Sequence, residues 1–349
     1  MVVSFPGSAQ GGAQRALHPN VSPAGVQQSP AVATARPTYT QGPQRVAEDV
    51  WAYLQPDGSW GWSNSGLIAG AQRRALLVDT LFDLRLTRAM LDALRVATPA
   101  AANIEVLVNT HANGDHWNGN ELLTGAEIVA SRACGEEMAE QSAQTLAGLM
   151  DQAPQLGELG AYLQRIFGAF EFHGITATPP TRTFEGSLTL HVDGRTIELI
   201  EVGPAHTRGD VIVHVPDART VFTGDILFIG GHPIMWRGPV ENWIAACDRI
   251  IALQPDVVVP GHGPVTDLDG VRGVKTYWER LRDEARSRYD AGMSALDAAR
   301  DIRGHGFAES LGEAERLAVN VAALYRQFSG DGSSPNFGEL FAAMAQLAD

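Results

Sequence analysis

The chain has little cysteine. Cys134 and Cys247 are the two in 349 residues, and they lie far apart with no metal-type spacing. No disulfide framework organises such a chain, so a reducing cytoplasm is the expected compartment. Basic residues are in deficit, with 26 Lys and Arg against 40 Asp and Glu, a net charge of −14 and a pI near 5.1. That balance argues against nucleic acid or an anionic membrane as a main partner. No apolar run is long enough to span a bilayer. Acidic residues are missing altogether from residues 1–42, which are rich in Gly, Ala, Pro, Ser and Gln. That stretch is expected to be a disordered tail, because it has too little apolar surface to bury. It also lacks the apolar core of a secretory signal. An acid-free tail with Arg15, Arg36 and nearby Arg45 has the composition of an organelle transit peptide. A mis-assigned start or a plain floppy tail is the preferred reading.

Hydrophobic residues make up 44% of the chain, enough for one large domain with appendages or two domains. The stretch around which the rest is organised runs from Ile104 to Asn120. Ile104 to Val108 are apolar or β-branched and predict a buried strand. The loop that follows packs His111, Asn113, Asp115 and His116 into six positions. Two imidazoles and a carboxylate that close together are donors suited to a divalent metal. Asn118 is a good N-cap type, so a helix is expected to start there.

Upstream, Asp49 to Leu54, Ser65 to Ala69 and Ala75 to Val78 predict a β-meander with a turn at Pro56–Gly58, and Asp79 ends its last strand. Leu84, Met90, Leu91 and Leu94 predict a helix, and residues 131–170 are expected to be less regularly helical. Leu188–Val192 and Thr196–Val202 predict a hairpin about Asp193-Gly194. Three further strand ends each deliver a ligand type: Gly203-Pro204-Ala205-His206, Thr223-Gly224-Asp225 and Pro260-Gly261-His262-Gly263. Glycine there lets backbone pass close to a metal centre. After Val271 the chain turns helical, with apolar faces at Val274, Tyr277, Trp278, Leu281 and Ala285, at Leu317, Val321, Leu324 and Phe328, and at Leu340, Phe341 and Met344. The expected organisation is a tail over 1–42, a catalytic domain over 43–271 and a helical cap over 272–349. The cap packs on the domain or on a second subunit as a homodimer.

The His111 loop, His206, Asp225 and His262 together resemble the metallo-β-lactamase superfamily, over about Val46 to Val271; Asp79 resembles that family's early strand-end aspartate. The resemblance implies an α/β fold, an αββα sandwich with metals at one edge. The family loop reads His-x-His-x-Asp-His, whereas here asparagine stands at the second histidine, Asn113. By that resemblance one site comprises His111, Asn113 and His206, the other Asp115, His116 and His262, with Asp225 between them. An amide oxygen is a weak donor for zinc. One tightly held Zn²⁺ at Asp115, His116, Asp225 and His262 is therefore expected, leaving His111 and His206 to act on substrate or water. A standard two-zinc enzyme with Asn113 as a weak ligand is the alternative. The Asn-containing loop, with Thr223 to Phe228 and Pro233 to Trp236, is similar to a hydrolase branch that includes a zinc-dependent chlorothalonil dehalogenase.

These residues suit a metallo-hydrolase using metal-activated water, with His111, His206 and Asp225 as catalytic groups. Trp117, Phe228, His232, Met235 and Trp236 flank the ligands and form an expected pocket for a small apolar or aromatic substrate. Hydrolytic dehalogenation and ester or lactone cleavage all fit. The alternatives are an iron-dependent sulfur dioxygenase-like oxidoreductase, which would use the weakened first site, and a non-catalytic metal-binding protein. His18, His173, His191, His214 and His305 fall outside the motif set and are expected to be structural or surface residues.

Overall fold

The structure is a computed structural model that describes residues 39–56, 58–141 and 143–348. The tail expected over 1–42 lies outside the described residues up to 38, as does Asp57 of the expected turn. Two mixed sheets face each other. The first holds β1 (Gly42–Ala47), β2 (Val50–Leu54), β3 (Ser65–Ala69), β4 (Ala75–Val78), β5 (Ile104–Val108), β6 (Glu127–Ser131) and β7 (Arg182–Phe184), in that order. Strands β1 to β4 form an antiparallel meander, and β4 to β7 run parallel. The second holds β8 (Ser187–Val192), β9 (Arg195–Glu201), β10 (Val211–Val215), β11 (Thr220–Phe222) and β12 (Val257–Val259). Here β8 to β11 are antiparallel, and β12 pairs parallel with β11.

The period of two along each strand explains why the strands read as continuous apolar runs. In β2, Val50, Ala52 and Leu54 enter the core between the sheets, whereas Trp51 and Tyr53 enter the layer under the helices. In β10, Val211, Val213 and Val215 face inward and Ile212 faces the helices. In β2 both faces are covered and apolar, whereas the outer face of β10 is apolar at Ile212 and carries His214 beside Glu198. Each fully buried side chain of this size contributes about 1.5–3 kcal/mol.

Helices cover both outer faces. They are α1 (Leu84–Ala97), α2 (Gly114–Trp117), α3 (Arg132–Glu140), α4 (Ala143–Gln152), α5 (Gly157–Phe167), α6 (Val240–Leu253), α7 (Leu268–Asp290), α8 (Ala295–Gly304), α9 (Leu317–Ser329) and α10 (Phe337–Ala348). Asp83 caps α1 by accepting from Leu86 N at 2.7 Å, and Met90, Leu91 and Leu94 are its buried face. The apolar face foreseen on α7 is buried as expected, with Trp278 4.5 Å from Trp243 of α6 between ring centres. Residues 272–349 join the same continuous hydrophobic core as α1, α5 and α6.

Two elements differ from expectation. β1 (Gly42–Ala47) is an additional strand that precedes the first one anticipated, Asp49 to Leu54. Gly-Pro-Gln-Arg has no apolar alternation, and as an edge strand it takes its conformation from pairing with β2, an edge being where Pro43 is tolerated. No helix starts at Asn118. Asn118 instead ends the one-turn helix α2, its N–H bonded to Gly114 O, and its Nδ2 donates to Phe82 O at 3.1 Å. The turn forms one position set earlier because His116 O accepts from Thr80 N at 2.9 Å and from Asn109 Nδ2 at 3.0 Å. No helix among the described residues is long and apolar enough to cross a membrane.

At Gly66 the two sheets approach each other closely. A Cβ there would lie 2.1 Å from Cε1 of Phe222. Gly66→Ala is expected to lower stability by about 1–3 kcal/mol in urea denaturation. An unchanged midpoint would mean that the sheets part at no cost.

Candidate metal centre

The loops after β4, β5, β9, β11 and β12 bring Asp79, the His111 loop, His206, Asp225 and His262 together. Asp225 Oδ2 lies 3.6 Å from His111 Nε2, 3.2 Å from His206 Nε2 and 3.5 Å from His262 Nε2. Its Oδ1 lies 3.1 Å from His116 Nε2. Asp115 Oδ2 is 3.3 Å from His262 Nε2 and 3.8 Å from His116 Nε2. Two sets of potential ligand atoms, one of His111, His116 and Asp225 and the other of Asp115, His116 and His262, each lie within 4.8 Å of one another. Gly261 makes this density feasible, since a Cβ there would stand 2.0 Å from Asp225 Oδ1.

Asp79 orients the imidazoles from behind. Its Oδ2 accepts from His116 Nδ1 at 2.9 Å and from the Thr110 hydroxyl at 2.7 Å, while its Oδ1 accepts from Thr110 N at 2.7 Å. Thr110 Oγ1 in turn lies 3.0 Å from His111 Nδ1. His206 Nδ1 faces the Ile234 carbonyl oxygen at 2.6 Å. These bonds place a proton on each Nδ1 and aim the Nε2 lone pair inward. The loop carrying His206 is pinned by Asp210, which accepts from Ala205 N and from the amide and hydroxyl of Thr207 at 2.6–3.1 Å. The Asn113 amide nitrogen lies 3.1 Å from His206 Nε2, so the residue that replaces a histidine engages the neighbouring imidazole.

The charges are arranged to await a cation. His111, His116, His206 and His262 are at most 3% exposed, and Asp115 and Asp225 are 8% and 4% exposed. Burial alone would raise Asp225, but the imidazoles of His262, His116, His111 and His206 hold it well below the usual carboxylate range. Burial would also lower His116 and His262, yet the Asp225 and Asp115 carboxylates carry both above an ordinary imidazole. His111 and His206 fall below it, chiefly through burial. Among the described residues, the buried Nε2 atoms of His111 and His116 and the Oδ1 of Asp225 have no well-aligned hydrogen-bond partner, although His116 Nε2 and Asp225 Oδ1 stand 3.1 Å apart. Buried, unpartnered nitrogens and carboxylate oxygens converging at ligand spacing fit a divalent metal.

The flanking residues divide. Phe228 stacks on His262, with ring centres 5.0 Å apart and planes 4° apart. Trp236 touches Trp60, Phe337 and Phe341, with ring centres 5.6–6.4 Å apart. Trp117 lies in a small cluster with Ala112, Ala130, Cys134 and Met138, and its Nε1 donates to Ala112 O at 2.9 Å, bracing the metal loop. Met235 is fully buried, and its N–H donates to Asn320 Oδ1 at 2.8 Å. His232 is also fully buried, its Nδ1 2.9 Å from the Tyr277 hydroxyl and its pKa pushed down to about 3 by burial beside Arg316. Outside the site, ring nitrogens of His173, His214 and His305 lie 3.1, 2.9 and 3.5 Å from carboxylate oxygens of Asp151, Glu198 and Asp301, and His191 lies 3.4 Å from Thr196 Oγ1. Sequence reasoning passed over Thr110, Asp210, Trp60 and Arg316. The Thr-x-x-Asp spacing of Thr207 and Asp210 was a local signal for the second.

Residues 58–262, more than half of the chain, match the model of the metallo-β-lactamase superfamily. The chain is 33% identical over 90 residues to the alpha subunit of a 2,4-dinitroanisole O-demethylase of Nocardioides sp., covering 24% of this chain and 26% of that protein. It is 26% identical over 196 residues to a linear primary-alkylsulfatase of Pseudomonas sp., covering 49% and 36%. The chain thus spans about a quarter to a third of the length of these curated relatives. The sec-alkylsulfatase Pisa1 of Pseudomonas sp. superposes with a TM-score of 0.59 at 18% identity, covering 86% of this chain and 52% of that one.

Asp79→Asn keeps the shape of the orienting residue and removes its charge. It is expected to weaken retention of a divalent metal about 10–100-fold in equilibrium dialysis while the circular dichroism stays native. Unaltered affinity would show that His116 is oriented without Asp79.

Proposed function

The chain belongs to the metallo-β-lactamase superfamily, and from that membership we propose that it is a zinc-dependent hydrolase of a small apolar or aromatic substrate. The observation that carries this reading is the convergence of four imidazole Nε2 atoms and the carboxylates of Asp115 and Asp225 at 3.1–3.8 Å. The alkylsulfatase among its relatives supports hydrolysis.

Asp115, His116, Asp225 and His262 would hold one ion, with His111, Asn113 and His206 as the weaker set. Bound there, zinc supplies Lewis acidity and brings water toward ionisation near neutral pH. The chain's own residues do the rest. Asp79 keeps the Nδ1 proton of His116 in place, so that its Nε2 stays a donor. His111 and His206, kept neutral by burial, present Nε2 lone pairs beside Asp225 and can accept a proton at those atoms. Phe228, Trp60 and Trp236 form an aromatic wall that excludes water and accepts a flat or apolar group.

Elemental analysis of protein purified without added metal tests the reading. We expect one zinc per chain, lost in Asp115→Ala and kept in His111→Ala. Two zincs would mean that Asn113 still sustains the first set, and iron or no metal would overturn the zinc assignment. Trp236→Ala is expected to lower kcat/KM for 2-naphthyl acetate about tenfold more than for ethyl acetate. Equal losses would assign Trp236 to the fold alone.

A further inference from the structure

One cation reaches the metal centre from outside the family-matched segment. Arg316, directly before α9, is 1% exposed. Its guanidinium carbon lies 4.5 Å from the ring centre of Trp60 and 5.1 Å from that of Phe228. Phe228 is also the ring stacked on His262, so one aromatic side chain contacts both the guanidinium and a candidate ligand. Nη1 donates to the His232 carbonyl oxygen at 2.7 Å, while Nε is buried with no hydrogen-bond partner among the described residues. The adjacent Glu315 gives Oε1 to Trp60 Nε1 at 3.1 Å and to the Tyr162 hydroxyl at 3.4 Å. Burial lowers the pKa of the guanidinium, opposed first by the Glu315 carboxylate and then by Tyr162, Asp225 and Asp115, so the carboxylates of the centre lie within its electrostatic reach.

A guanidinium is charged at every accessible pH, and burying it is unfavourable unless its donors are satisfied. Rotating Nε–H to solvent is not open to a side chain held between two rings. An anionic oxygen arriving at this edge would complete the fork, and it would do so in a water-poor aromatic setting where such bonds are strong. An ion in the ligand set adds positive charge nearby and favours the same partner. The aromatic rings on either side suit the organic remainder of such a molecule.

We propose that Arg316 is a substrate-binding residue, and that the substrate carries an oxyanion group, carboxylate or sulfonate-like, received at Arg316 Nε while its organic part lies along Trp60 and Phe228. This rests on the hydrolase reading and narrows it from an apolar substrate to an amphipathic anion. It also gives the C-terminal extension a role in recognition that the ligand loops alone do not supply.

Isothermal titration of the full-length chain with benzoate and with benzenesulfonate tests this, with benzamide as the uncharged control. The wild type, Arg316→Met and Arg316→Lys are compared, and metal content and melting temperature are measured on each sample. We expect Arg316→Met to weaken both anions about tenfold or more, Arg316→Lys to weaken them less, and benzamide to bind all three alike. Loss of benzoate but not benzenesulfonate would assign a carboxylate-bearing substrate, and the reverse a sulfonate-like one. Unchanged anion binding in Arg316→Met, or no anion binding by the wild type, would overturn the proposal. Equal loss of benzamide, or a fall in melting temperature in Arg316→Lys as large as in Arg316→Met, would make Arg316 a structural clamp instead. Failure of the hydrolase reading is separate: it would show as protein without metal, in which Arg316-dependent anion binding is still measurable.

Discussion

The His111 loop at the centre depends on one buried carboxylate. Asp79 sits at the end of β4 with a left-handed φ of 61°, a backbone state that costs energy for any residue with a Cβ. From there it holds His116 directly and His111 through Thr110. Burial raises its own pKa, and the neighbouring His116 opposes that rise. The carboxylate therefore needs the imidazole as much as the imidazole needs it. Removing either leaves a buried polar group unmatched.

The fold supplies that carboxylate with its surroundings by a simple geometric device. Strands β4 and β5 run parallel in one sheet, and β11 and β12 run parallel in the other. Their ends carry Asp79, the His111 loop, Asp225 and His262. Two sheets bound together by an apolar interlayer fix those ends rigidly, so side chains from four separated segments meet within hydrogen-bonding distances. Trp243 adds a tie from the helical layer, its Nε1 donating to Ile226 O at 2.9 Å, one residue beyond Asp225.

The legible part of the sequence was the part written locally. A strand followed by glycine and a ligand-type side chain is a short signal, and His206, Asp225 and His262 each carried it. The hairpin at Asp193-Gly194 was equally local, with both residues at positive φ. β1 was less legible, because Gly42 to Arg45 owe their conformation to a partner strand rather than to their own pattern. The helix start near Asn118 was misread because a capping side chain fits either end of a turn, and contacts from Thr80 and Asn109 decided the matter. Trp60 and Arg316 were invisible for a different reason. Nothing in the residues around either one hints at the other, and only the packing of α9 and α10 over the sandwich brings them together.

The division between residues 58–262 and the helices beyond them has an evolutionary reading. The ligands all fall inside the matched segment, whereas Arg316, Phe337 and Phe341 fall outside it. On the proposed reading, reactivity and selectivity fall on different stretches of one chain. Mutation can remodel the helical stretch, and with it the range of molecules admitted, while the metal-binding loops stay untouched.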